Sequence, residues 1–78
     1  MTNKEDNKMI EMLQSGKDVY IYDDFEQIVV KLVPTSENTQ AFIKMKGREE
    51  YEVDRSTKIV YEATLGGILV DKKFYDNF

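Results

Sequence analysis

The 78-residue sequence contains no cysteine and no histidine. Without cysteine there is no disulfide framework and no thiolate for metal or redox chemistry. Without histidine the commonest general base near neutral pH and the commonest transition-metal ligand are gone as well. The groups left for chemistry are carboxylates, amines, phenols and hydroxyls. A carboxylate pair working as acid and base needs a cleft that a core this small can hardly wall off. The residue inventory therefore predicts a protein that is not an enzyme and that takes no metal and no cofactor.

Long apolar runs are also missing. The longest, QIVVKLV at 27–33 and LGGILV at 65–70, fall far short of the roughly 20 residues that a membrane-crossing helix requires. The first eight residues, MTNKEDNK, are polar and mixed in charge, without the layout of a secretory or transit signal. No membrane partner is expected, and the expected location is the cytoplasm.

Positive charge is in deficit. Eleven Lys and Arg against fifteen Asp and Glu leave a net charge of −4 and a pI near 4.7, which argues against a general affinity for phosphate backbones. What the chain does have is core material: 41% of residues are hydrophobic and 12% aromatic, the profile of a packed domain and not of a disordered tail. There is no internal repeat, low-complexity tract or linker, so residues 1–78 read as one domain.

The pattern along the chain predicts an α+β domain, with an N-terminal helix packed on a three- to four-stranded antiparallel sheet and a short C-terminal helix. Met9, Ile10, Met12 and Leu13 recur at helical spacing, Asn3 is placed to cap the helix, and Glu5 and Asp6 sit where the helix dipole favours negative charge. Gly16 supplies a stop. A β-branched and aromatic strand at 18–22 runs into the turn Asp23-Asp24-Phe25-Glu26. The strand at 27–33 places Ile28, Val30 and Leu32 on one face and Val29, Lys31 and Val33 on the other, and apolar character on both faces marks it as central.

Pro34 opens a polar loop, after which residues 40–46 alternate again and Gly47 turns the chain into an acidic segment at 49–54 that should pair with them as a hairpin. Residues 56–65 satisfy both patterns, with Ile59, Tyr61, Ala63 and Leu65 alternating as in a strand, and Ile59, Val60 and Ala63 spaced as in a helix behind a Ser or Thr cap. Gly66 and Gly67 interrupt either form. Asp71 can cap a last helical turn in which Phe74 and Phe78 lie four apart.

Functional motifs are few. The acids at 23–26 lack the alternating carboxylates, turn glycine and distal glutamate of a calcium loop, and Gly66-Gly67 lacks the spaced glycines and Lys-Ser or Lys-Thr ending of a phosphate loop. The residues that remain are acids and tyrosines. Tyr20 and Tyr22 share a face of the first strand next to Asp23, Asp24 and Glu26, while Glu49, Glu50, Tyr51, Glu52 and Asp54 make up the acidic hairpin segment. Tyrosine joins a large apolar area to a hydrogen-bonding tip, and carboxylates complement a basic groove, so these ten residues form the candidate surface for a protein partner.

Two other readings use different residues. Phe42, Lys44, Lys46 and Arg48 can act as a stacking and phosphate-binding ladder for nucleic acid, although Glu49, Glu50 and Glu52 beside them repel phosphate. In a homo-oligomer, the apolar faces of 27–33 and 68–70 would meet a second copy of the chain.

The order of features resembles that of small phage and mobile-element proteins of the anti-CRISPR type. It runs from Met9-Ile-Glu-Met-Leu13 through Val19-Tyr-Ile-Tyr22 and the strand at 27–33 to the acidic segment at 49–54. The resemblance is one of organisation, with no motif and no residue carried over. It implies a non-catalytic protein that binds a larger host effector, such as a CRISPR nuclease complex, and blocks its nucleic-acid groove.

Overall fold

The computed structural model describes residues 4–78, with side chains described from residue 8 onward. The expected cap Asn3 and the side chains of Glu5 and Asp6 lie outside the described residues. The elements run α1 (Lys4–Gln14), β1 (Val19–Asp23), β2 (Ile28–Pro34), β3 (Thr39–Met45), β4 (Tyr51–Val53), α2 (Lys58–Gly66), β5 (Ile68–Val70) and α3 (Lys72–Asp76). The α+β class with an N-terminal helix on an antiparallel sheet is as expected, but the sheet has five strands, in the order β4-β3-β2-β1-β5.

Alternation decides what each face of the sheet buries. Val19 and Ile21, Ile28, Val30 and Leu32, and Ala41 and Ile43 form one aliphatic face, which Met9, Met12 and Leu13 of α1 and Val60 and Ala63 of α2 cover. On the other face Tyr20 and Val29 pack against Tyr75 of α3, with Tyr22, Val70 and Phe78 beside them. The helices thus sandwich the sheet, two on one side and the short α3 on the other. This is why β2 is apolar on both faces.

That arrangement corrects the oligomer reading of 27–33. Ile28, Val29, Val30 and Leu32 are all buried within the one chain and are not available to a second copy. In α1, Ile10 is 50% exposed. Successive helical residues are offset by about 100°, so a stripe centred on Met9, Met12 and Leu13 leaves Ile10 at its margin.

Helix α1 ends through backbone geometry that glycine permits. Gly16 has φ +78°, and the N–H of Gly16 reaches the carbonyl of Leu13 while that of Lys17 reaches Met12 at 2.8 Å, the paired bonds of a Schellman cap. The hairpin registers follow the alternation, with Ile21 opposite Val30, Val30 opposite Ile43 and Phe42 opposite Glu52.

The segment that fits both patterns resolves as helix α2, since burying Val60 and Ala63 on one side closes the aliphatic core that α1 alone leaves open. The expected Ser or Thr cap is positional only: Thr57 occupies the N-cap but its side chain makes no capping bond. Gly67 then allows the close approach that follows. A Cβ there would lie 2.4 Å from Ile21 Cγ2 and 2.6 Å from the Ala63 carbonyl oxygen, so only glycine lets the end of α2 pass directly over β1 into β5. Strand β5 pairs Tyr20, Ile21 and Tyr22 with Val70, Leu69 and Ile68. Among the described residues no helix is long and apolar enough to cross a membrane.

Candidate protein-interaction surface

The ten acids and tyrosines selected from sequence do not converge. Three strand spacings, roughly 14 Å, separate β1 from β4, because β2 and β3 lie between them. Tyr20 is only 7% exposed. Its ring packs 5.1 Å from that of Tyr75, and burial, then the neighbouring Asp18 carboxylate, pushes its phenol pKa up. Tyr22 is half-buried against Phe74 and Phe78. Both tyrosines therefore serve first to seat α3.

Glu50 has a similar task. Its carboxylate accepts a bond from the Tyr75 hydroxyl at 2.5 Å and pairs with Lys31 Nζ at 2.8 Å. The Lys31 ammonium and the Tyr75 hydroxyl together lower the Glu50 pKa, while burial and then the Glu50 contact raise that of Tyr75. Lys31 also lies over the ring of Phe42, 4.6 Å from its centroid. Lys44 donates to the carbonyls of Tyr75 at 2.8 Å and Asp76 at 3.1 Å, satisfying the C-terminal end of α3 where positive charge is favoured. Lys44 is thus occupied in holding α3 and Phe42 lies half-buried under Lys31, and of the basic ladder only Lys46 and Arg48 stand free in solvent.

The remaining acids divide by register. Tyr51, opposite Ile43, lies on the α1/α2 side of the sheet, and Glu52, opposite Phe42, lies on the α3 side. Asp54, beyond Val53, lies at the far end of the sheet, where it accepts bonds from the backbone N–H and hydroxyl of Ser56. Those bonds lower its pKa. Asp24, Glu26 and Glu49 share the opposite end, because Asp23 pairs with Ile28 and Ile28 with Met45, which brings the 24–27 turn and the 46–50 loop to one edge.

That turn is built, not loose. Asp23 is buried, and its Oδ1 accepts from the N–H groups of Phe25 at 3.0 Å and Glu26 at 3.2 Å. Gln27 closes it in the left-handed region, with φ +58°, and its side-chain amide donates to the Asp24 carbonyl. At the tip Phe25 is 87% exposed between two carboxylates. From the pattern alone this residue belongs to a polar turn. The available signal was a large apolar side chain in a segment where every neighbour is polar.

A second feature also lies outside the ten residues. Tyr22, Phe74 and Phe78 form a mutual cluster, with ring centroids 5.2, 5.6 and 5.9 Å apart, and the cluster opens into a groove of about 630 Å³. Lys46, Lys73 and Asn77 stand at its margin. Asp71 also lines it, with Oδ1 turned to accept from the Phe74 N–H at 2.8 Å. Among the described residues no group of three or more acids could hold a metal ion.

No protein family, curated protein or solved structure matches the chain.

Proposed function

We propose that the chain is a non-catalytic protein-binding module that works in the cytoplasm through the turn end of its sheet. Phe25 acts as the anchor, and Asp24, Glu26 and Glu49 form its acidic surround. The observation that supports this reading is an aromatic side chain 87% exposed on a turn whose backbone is tied down by Asp23 and Gln27. A phenyl group held in water costs solvation free energy, and with the turn backbone already fixed only two side-chain torsions remain to be restricted when the ring enters a pocket. Its partner is a protein with an apolar pocket rimmed by cationic groups. In the form implied by the anti-CRISPR resemblance, that site is the basic groove of a larger host effector, and the chain is a phage or mobile-element inhibitor of it.

The test is affinity capture from host extract at low salt with the wild type, Phe25→Ala and Asp24→Asn/Glu26→Gln. Capture of a discrete protein by the wild type is expected, with retention lowered at least about tenfold by Phe25→Ala and made less salt-sensitive by the acid replacements. Since Phe25 is exposed, its variant should melt with the wild type. Equal retention by Phe25→Ala would remove the reading.

A further inference from the structure

The partner chemistry deduced for the Phe25 turn is present on this same chain. The Tyr22, Phe74 and Phe78 rings line an open groove with Lys46 and Lys73 at its margin, and neither lysine forms an ion pair among the described residues. Phe74 stays 39% exposed although it belongs to a three-ring cluster, and Ile68, opposite Tyr22 in the sheet, is 51% exposed. The groove therefore shows water an aromatic floor made of Tyr22, Phe74 and Phe78.

One aromatic between two acids matches an aromatic floor with two lysines in its lining, where the one carboxylate present, Asp71, already accepts from the Phe74 N–H. The turn does not fill its own groove, because Phe25 is in water. Both features nevertheless sit at one end of the molecule: the turn follows directly from β1, whose Tyr22 is part of the groove. This placement allows two copies to exchange turn and groove reciprocally about a two-fold axis, which makes the contact isologous and closed.

We propose that the chain forms a homodimer in which Phe25 of each copy enters the Tyr22/Phe74/Phe78 groove of the other, with Asp24 and Glu26 facing the other copy's Lys46 and Lys73. The proposal rests on the reading of Phe25 as a binding anchor and names a second copy as one occupant of that surface. Charge complementarity favours this occupant: a net-acidic chain repels itself at most orientations, and docking that brings the acidic turn to the margin holding Lys46 and Lys73 reverses the sign locally.

Sedimentation velocity on the full chain tests it, with a charge exchange that a merely structural role would not reproduce. Wild type should show a dimer fraction that rises with concentration up to about 100 µM and falls with added salt, and Phe25→Ala should weaken association about tenfold or more. Asp24→Lys/Glu26→Lys sets lysines against lysines in its own dimer, and Lys46→Glu/Lys73→Glu sets acids against acids, so each alone should sediment as monomer. Mixed one to one, they restore opposite charge at both contacts and should form a heterodimer. Melting curves taken alongside establish that each variant is folded. The homodimer is overturned if wild type remains monomeric at about 100 µM, if Phe25→Ala leaves the dimer intact, or if two folded variants stay monomeric when mixed. Capture of a host protein that depends on Phe25, with wild type monomeric, would sink the homodimer and leave the binding module standing.

Discussion

The two faces of the sheet are held by different physics. On the α1/α2 side Val19, Ile21, Val30, Ala41, Ile43 and Ala63 pack as a dry aliphatic layer, stabilised by non-directional burial of roughly 25 cal/mol per Å² of apolar surface. On the α3 side a helix of five residues has too few side chains to bury a full face. It is held by directed contacts: Tyr75 to Glu50, Glu50 to Lys31 and Lys44 to the helix C-terminus. The first face buries its central residues almost completely, with Val19, Val30 and Ala41 at 0% exposure. The second depends on charge, and because α3 covers only part of it, the groove lined by Tyr22, Phe74 and Phe78 stays open to water.

The sharpest way to break the comparison is on the aliphatic side. Ile21→Ala empties a position that is 2% exposed beneath Gly67 and should cost about 2–5 kcal/mol in urea unfolding. A loss below about 0.5 kcal/mol would contradict a tightly packed core there. On the other face Asp71→Ala removes the side-chain cap on Phe74 N–H and should cost about 1 kcal/mol. Its marker is faster amide exchange in α3 than in α2, and uniform loss of protection across all three helices would show that α3 is no separately held layer.

The smallest effect concerns pH. The folded pKa of Glu50 is depressed below the usual 4.5, so its contribution is fully present above the unfolded value and is lost as pH falls through the folded one. Glu50 is 38% exposed, and solvent screening keeps the effect below about 1 kcal/mol. Acid titration followed by the aromatic signals of Tyr20 and Tyr75 should therefore show the α3 contacts loosening before the aliphatic core, with the difference abolished in Glu50→Gln. A variant that titrates like wild type would assign the acid sensitivity to another group.

The aliphatic face was the more legible of the two in sequence. Period-two alternation in β2 and β3 and the spacing of Met9, Met12 and Leu13 report local geometry directly, and Asp71 and Gly16 mark helix ends by chemistry that acts within a few residues. Strand β5 escaped because three apolar residues after two glycines carry no period of their own. It exists because Gly67 lets the chain cross Ile21 and add to the edge of β1. The candidate surface was only partly legible: Asp24, Glu26 and Glu49 do share an end, but Tyr20, Tyr22 and Glu50, alike in sequence as polar or amphipathic surface candidates, are drawn into the α3 contacts. Lys44 is drawn in the same way, and Phe42 lies under Lys31.

By itself the sequence determined the chemical limits, with no thiol and no imidazole, and the local elements whose signals span a few residues: helix, central strand, turns and caps. Only the tertiary structure decided which side chains reach water. That depends on contacts between residues far apart in the chain, such as Lys31 with Glu50 and Lys44 with Tyr75, and no local period encodes them. The same packing that hides Tyr20 leaves Phe25 exposed at the tip of its turn and opens the aromatic groove beside Lys46 and Lys73.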